Sequence, residues 1–433
     1  ARKCGITASE LPQCTKFLCD VGIILHFDDT NSKLNEIVIL NPQFLADVMA
    51  NILSFTHNWL KGGLLTPQLV PQVFYKYDTP MTERIIALLI RFHIIYKVKD
   101  SDNYLVPLLL PVECPRVEFA DAWTSVLGAG LAEYGRTYDF KFVPHGFFSR
   151  ILVRLFHQPA LEHLVVWRIG AVLKLENHLG LIQYDAAECS IKITVRVPKS
   201  STATGMLLRA MVESLEALIY CYYPRLKEST QRLLPCTHCM LANTRTPFMF
   251  SYSECIQAVT HGKPFVFCHH IMSPSRCVRI DQLAPDIAFT DLPRISNESI
   301  SVGKLLGAGA FGTVHRGVYK GTPVALKELK FLIGDDNERV EKFNEFQQEA
   351  WIMSCLNHPH LVKLYGVTVY PLRMVMELVD GGDIFNFLHP RNPATGSRET
   401  LKPEQFPWPL RFKLALDIAV GMRYLQHGIN PPI

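Results

Sequence analysis

Gly307, Gly309 and Gly312 stand in the run Gly307-Ala308-Gly309-Ala310-Phe311-Gly312-Thr313-Val314, the spacing G-x-G-x-x-G-x-V. Without Cβ atoms, such a loop lets the backbone approach a triphosphate where a side chain would obstruct it. Alone the spacing is a weak signal, because a plain turn between strands would produce it. Three further features follow at suitable distances. Lys327 closes the apolar run Val324-Ala325-Leu326-Lys327, and an ammonium there is costly unless it meets an anion. The plainer alternative is a lysine reaching solvent from a strand edge. Glu349 lies beside a helical face traced by Phe343, Phe346, Ala350, Met353 and Leu356, within reach of such a lysine. Standing alone it would read as a solvated glutamate. Arg373–Glu377 is an extended apolar run, and Gly381-Gly382-Asp383 follows as a flexible connector with an acid beyond it.

The elements that must position these groups run strand, glycine loop, strand, turn, strand, helix, strand pair. That order resembles the protein kinases. Residues 301–433 are similar to a kinase N-lobe, a five-stranded antiparallel sheet plus the αC helix, and to the start of a helical C-lobe. The resemblance implies that Leu306, Gly307, Gly309 and Gly312 line the nucleotide, the glycines over its phosphates. Val314 and Ala325 would sandwich adenine, and Lys327 would pair with Glu349 and meet the α- and β-phosphates. Met376 matches the gatekeeper, Glu377 and Val379 the hinge, and Asp383 the acid that meets ribose. Met353 and Leu364 fit the regulatory spine, His358-Pro359 the turn after αC, and Leu410–His427 the long C-lobe helix. The sequence ends at Asn430-Pro431-Pro432-Ile433, where kinases approach the His-Arg-Asp loop and, later, Asp-Phe-Gly. ATP is the implied cofactor, with Mg²⁺ ligands outside this chain, and no phosphoryl transfer by the chain itself is expected.

The 433 residues carry a formal net charge of +4 and a 48% hydrophobic content. That supports sizeable cores and two to four domains, and it gives no electrostatic case for nucleic acid. Within 1–113 the pattern helix, strand, turn, strand occurs twice. It reads as Ser9–Asp20, 21–27 and 37–40, then as Thr82–Phe92, 94–98 and 104–110. This is winged-helix-like. DNA binding is one reading, but neither helix has a basic face, so an interaction module is preferred. Asn41-Pro42 marks another helix start, over 43–53. Residues 114–240 read as α+β, with strand-like runs at 138–143, 164–168, 171–176, 180–184 and 190–197 and helices at 147–156 and 204–222. Residues 241–296, marked by Pro274, Pro285 and Pro293, read as a linker, and 297–433 as the kinase part. The whole is a multidomain α+β chain.

The stretches Leu40-Asn41-Pro42-Gln43-Phe44-Leu45, Val106-Pro107, Leu110-Pro111, 142–150 (FVPHGFFSR) and Trp167-Arg168-Ile169-Gly170 resemble the COR region of Roco proteins. That resemblance implies a COR-A part over 1–113, a COR-B part over 114–240, a Roc GTPase as upstream partner, and a homodimer contact through COR. No G-x-x-x-x-G-K-[ST] occurs, so the GTPase itself is not expected here. Protein Ser/Thr hydroxyls would be the substrates. The alternative is a non-catalytic scaffold or pseudokinase.

Cys236-Thr237-His238-Cys239, followed by Cys268 and Cys277, offers four soft ligands for a structural Zn²⁺. Against it, the second pair is wider than C-x-x-C, and free buried cysteines are common. His238, His269 and His270 otherwise read as surface residues. Twelve cysteines scattered without a disulfide pattern point to reduced thiols in the cytoplasm. No signal peptide opens the chain. The longest apolar runs, 85–95 (broken by Arg91) and 105–111, are too short to span a membrane. Beginning at Ala1 without Met, the chain reads as an internal piece of a longer protein.

Overall fold

The computed structural model describes residues 6–7, 9–27, 34–41, 43–54, 61–124, 130–199, 201, 204–242, 244, 246–270, 276–309, 312–329, 336–390, 398 and 406–427.

The first unit is helical with small sheets. Asp78 caps helix Thr79–Arg91, accepting from the Met81 N–H at 2.9 Å, and Pro80 sits in the first turn, where its missing N–H costs nothing. Its Ile85 and Leu89 pack with Val48 and Ile52 of helix Gln43–Ser54 and with Leu65, Phe74, Ile95 and Val106. The Asn41 side chain accepts from the Gln43 N–H at 2.9 Å, as the helix-start pattern implied; Pro42 lies outside the described residues. Both expected wings form in shortened versions, as Leu25–His26 with Val38–Ile39 and as the order Leu64–Leu65, Tyr104–Leu105, Tyr96–Lys97. Helix Leu11–Asp20 forms where expected but buries no side chain.

The second unit is a seven-stranded antiparallel sheet. Its order is Met249–Ser251, Gln231–Pro235, Leu131–Asp139, Ser190–Pro198, His178–Asp185, Gly170–Leu175, Glu162–Trp167. Helices Phe147–Phe156 and Met206–Tyr222 cover one face. Trp123 and Phe119 of helix Arg116–Thr124 cover part of the other, against Val165, Trp167 and Val172. Two sequence expectations need correction. The strand expected at 138–143 runs Leu131–Asp139, because the buried Arg136 interrupts its apolar alternation. The break expected at 240 falls inside the sheet, which takes in Met249–Ser251. Nor are 241–296 a mere linker: Phe250, Cys255, Ile256, Ile280, Leu283 and Phe289 are buried in one cluster with Leu234.

The last unit is the expected five-stranded antiparallel sheet. Its order is Ile300–Gly309, Gly312–Tyr319, Thr322–Leu329, Leu372–Glu377, Leu364–Val369. Helix Asp336–Cys355 packs on it through Phe343, Phe346 and Ala350 against Val367, Leu372 and Met374. Helix Trp408–His427 follows, with Trp408, Phe412, Leu416, Ile418 and Met422 exposed. Among the described residues no helix is long and apolar enough to cross a membrane.

Candidate nucleotide site and the joint behind it

Strand register decides which side chains share a face. Lys327 stands opposite Val314 on one neighbouring strand and Met374 on the other, and Ala325 stands opposite Met376. Directly paired residues, and residues two apart on one strand, point to the same side. Val314, Ala325, Lys327 and Met376 therefore line one face of the sheet. Val324, Leu326 and Val375 point the other way, into a cluster with Ile295 and Ile300.

On the first face Lys327 Nζ lies 2.6 Å from both carboxylate oxygens of Glu349. The side chains remain 21% and 42% exposed, so the pair can be reached from solvent. Partial exposure also limits the pair's own contribution to stability to under about 1 kcal/mol. Its value is positional.

Gly309 pairs with Gly312 at the mouth of the glycine loop; Ala310 and Phe311 lie outside the described residues. Gly312 has φ 144°, and a Cβ there would meet the Glu328 carbonyl oxygen at 2.0 Å, so this position excludes other residues. Among the described residues nothing lies within 4 Å of a Cβ built on Gly307 or Gly309. Leu306 is 45% exposed beside them.

At the strand's end, the Glu377 N–H donates to the Lys363 carbonyl at 2.8 Å, and the Val379 carbonyl accepts from Gly382. Asp383 caps the short helix Ile384–Leu388, accepting from the Asn386 N–H at 2.7 Å. That bond holds its carboxyl below the usual carboxylate range. Met353 and Leu364 are half-buried against the same apolar cluster as the helix.

Residues that sequence reasoning missed hold helix Asp336–Cys355 from behind. The Tyr252 hydroxyl donates to Asn344 Oδ1 at 2.8 Å, and Gln347 Nε2 donates to the Asp286 carbonyl at 2.5 Å. Phe289 meets Phe343 and Phe346 edge-on at 5.6 and 6.1 Å, and Lys227 pairs with Glu341. Arg136 and Asp286 form an ion pair with side chains 1% and 5% exposed. The Arg136 guanidinium also sits 4.8 Å over the Tyr252 ring. The available signal was an arginine at a core position of a strand, which needs a buried partner.

Three of the four thiols singled out in the sequence come together. Cys236, Cys239 and Cys268 place their sulfurs within 4.8 Å of one another. Burial pushes the Cys236 thiol up to about 12. Cys277 does not join them. It pairs with Phe267 on the hairpin Phe265–Phe267/Cys277–Arg279. Alternation therefore turns it to the exposed face, while Val266, Val278 and Cys268 face the core.

This geometry is that of a protein-kinase N-lobe with its lysine–glutamate pair closed, backed by a sheet domain fused to it. Comparison with known proteins identifies both parts. Residues 1–110 match the family described as the C-terminal of Roc, COR-A domain, and 132–286 match the COR-B domain. Residues 300–428 match protein tyrosine and serine/threonine kinase. Among similar proteins of Dictyostelium discoideum, the probable serine/threonine-protein kinase pats1 is 31% identical over 99% of this chain. The probable serine/threonine-protein kinase roco7 is 29% identical over 100%, and cyclic GMP-binding protein C is 25% identical over 100%. The chain spans 13%, 17% and 18% of their respective lengths. It belongs to the Roco protein-kinase family and covers that family's COR-to-kinase part.

Proposed function

We propose that this chain is the ATP-holding and coupling part of a Roco-type serine/threonine kinase. The observation that carries the reading is the Lys327–Glu349 pair at 2.6 Å on the sheet face shared with Val314, Ala325 and Met376. ATP would lie on that face under the Gly307–Gly312 loop, its α- and β-phosphates meeting Lys327. Adenine would sit between Val314 and Ala325, with the Glu377 carbonyl and the Val379 backbone as its hydrogen-bonding edge. The Glu377 N–H is already engaged by Lys363, which leaves the carbonyl for this task. Asp383 would meet ribose from its capping position.

In the parent protein the reaction would be transfer of the γ-phosphoryl group to a protein Ser or Thr hydroxyl. Mg²⁺, when bound with ATP, neutralises charge developing on the transferred group. Neither His-Arg-Asp nor Asp-Phe-Gly occurs among these 433 residues, so what this chain would supply to that reaction is the hold on the nucleotide. The COR region would couple to a Roc GTPase and carry a homodimer contact, as the family implies. The contacts of Tyr252, Asp286 and Phe289 with helix Asp336–Cys355 support a route for that coupling, since they set where Glu349 stands. The thiol cluster of the joint would take a structural zinc ion. Free thiols at every described cysteine fit a cytoplasmic setting.

Titration of the chain with a fluorescent ATP analogue tests the reading. Saturable binding displaced by ATP is expected, together with no labelled phosphate on a generic peptide. Absence of saturable binding by a folded chain would overturn it.

A further inference from the structure

Cys236 and Cys239 belong to one turn: Cys236 caps the short helix Thr237–Leu241, and Cys239 lies within it. Cys268 arrives from the end of strand Phe265–Phe267, where its N–H donates to the Arg276 carbonyl at 2.7 Å. All three side chains are at most 2% exposed. Their neighbours are Leu234, Phe250, Val266 and Val278, an apolar shell that any small hydrophobe would fill. Packing therefore does not explain why three thiols, from two separate segments, meet at one point.

Distances narrow the choice of chemistry. A disulfide needs sulfurs about 2.05 Å apart, and these thiols are free. Four ligands around zinc at about 2.3 Å set neighbouring sulfurs about 3.8 Å apart; Cys239 Sγ and Cys268 Sγ are 3.6 Å apart. A buried all-sulfur corner disfavours calcium and magnesium, which take oxygen ligands. Among the described residues no fourth His, Cys, Asp or Glu atom joins the group. The next two residues after Cys268 are imidazoles, however. The His269 and His270 rings lie 5.3 and 5.4 Å from the Phe248 ring, and the Phe248 carbonyl receives the Cys236 N–H at 2.8 Å.

We propose that Cys236, Cys239 and Cys268 hold a structural zinc ion, with His269 or His270 as the fourth ligand, and that this clasp stiffens the platform behind the kinase helix. The ion would tie the end of strand Gln231–Pro235, a member of the COR-B sheet, to the hairpin 265–279. Both segments share one apolar cluster with Phe343, Phe346 and Ala350 of helix Asp336–Cys355. Only this last step rests on the kinase reading; the metal site stands without it.

Metal analysis of the whole chain, purified without chelator, is expected to give one zinc per molecule. Cys236→Ser, Cys239→Ser and Cys268→Ser should each lose most of it. Cys277→Ser should retain it, and one of His269→Ala and His270→Ala should lower it. Folded wild-type chain without zinc, or zinc content unchanged in all three serine variants, would overturn the site. Should the serine variants fail to fold, wild-type chain produced in cobalt decides: intense visible bands of thiolate-bound tetrahedral cobalt are expected, and their absence rejects the site. Removing zinc from wild type with a chelator should lower the melting temperature and weaken binding of the ATP analogue at least threefold, both restored by zinc. Zinc release that leaves nucleotide affinity unchanged would reject the clasp while keeping the site. A zinc-loaded chain that never binds nucleotide would instead reject the kinase reading alone.

Discussion

The COR-B sheet and the kinase sheet are both antiparallel, yet only one of them is closed. In COR-B, Phe147, Ile151 and Leu215 lie on one side, while Trp123, Trp167 and Val172 fill part of the other. In the kinase sheet, the strand Ile300–Gly309 is buried only at Ile300. A sheet packed on both faces has no room for a ligand and behaves as a scaffold. A sheet that leaves its edge strand and glycine loop uncovered can accept one. The two meet at the joint, where the Arg136–Asp286 pair and Phe289 belong to the closed side but bear on the helix that serves the open one.

The largest expected effect tests that joint. Arg136→Met leaves Asp286 buried without its partner and should cost about 3–5 kcal/mol in urea unfolding. The double variant Arg136→Met/Asp286→Leu should recover most of the loss. Phe289→Ala follows, at about 3–5 kcal/mol for a buried ring, and it should also weaken ATP-analogue binding. Leu173→Ala, deep in COR-B with 0% exposure, should cost about 2–5 kcal/mol without that second effect. Equal effects of both variants on nucleotide would erase the distinction between scaffold and platform.

Lys327→Met should reduce ATP-analogue affinity at least tenfold, about 1.4 kcal/mol, while shifting stability by under about 1 kcal/mol. The smallest effect concerns acid. His93 and His163 lie at the seam between COR-A and COR-B, near Tyr96, Phe156 and His157. Both are lowered to about 4, His163 by burial and His93 by burial first and then by the nearby Arg154, His157 and Arg150 charges. Their neutral forms are favoured in the fold. The stability they contribute is therefore complete above pH 6.5 and is lost as pH falls toward 4. Both groups are partly exposed, so about 1 kcal/mol each is expected after screening. Melting curves between pH 7 and 5 measure it, and His163→Phe should flatten the dependence.

How much of this could be read from the sequence depended on how local each signal was. The glycine loop, Lys327 and Glu349 sit in short motifs whose spacing carries their geometry, and the sheet brings them together as expected. The helix expected over Thr82–Phe92 forms as Thr79–Arg91, starting three residues earlier at the Asp78 cap. Arg136 misled, because its partner Asp286 is 150 residues away and no periodicity reports such a pairing. Cys277 looked equivalent to Cys268 in spacing, but a strand register, unknown from sequence, turned it outward. The prolines that suggested a linker instead shape a packed joint, where the Pro285 carbonyl accepts both the Thr290 N–H and its hydroxyl.

The passage from COR to kinase has a further result at the sheet's edge. Ile295 N–H donates to Val367 and Val367 N–H donates to Pro293, each at 2.9 Å, so that 293–295 run parallel to the outermost strand, Leu364–Val369. The approach is close enough that a Cβ on Gly366 would sit 2.3 Å from the Pro293 carbonyl oxygen. An uncovered edge invites a strand from another molecule and, with it, aggregation. Here the polypeptide occupies that edge with its own connecting segment, so the route joining the two domains is also the guard that keeps foreign strands off this edge of the kinase sheet.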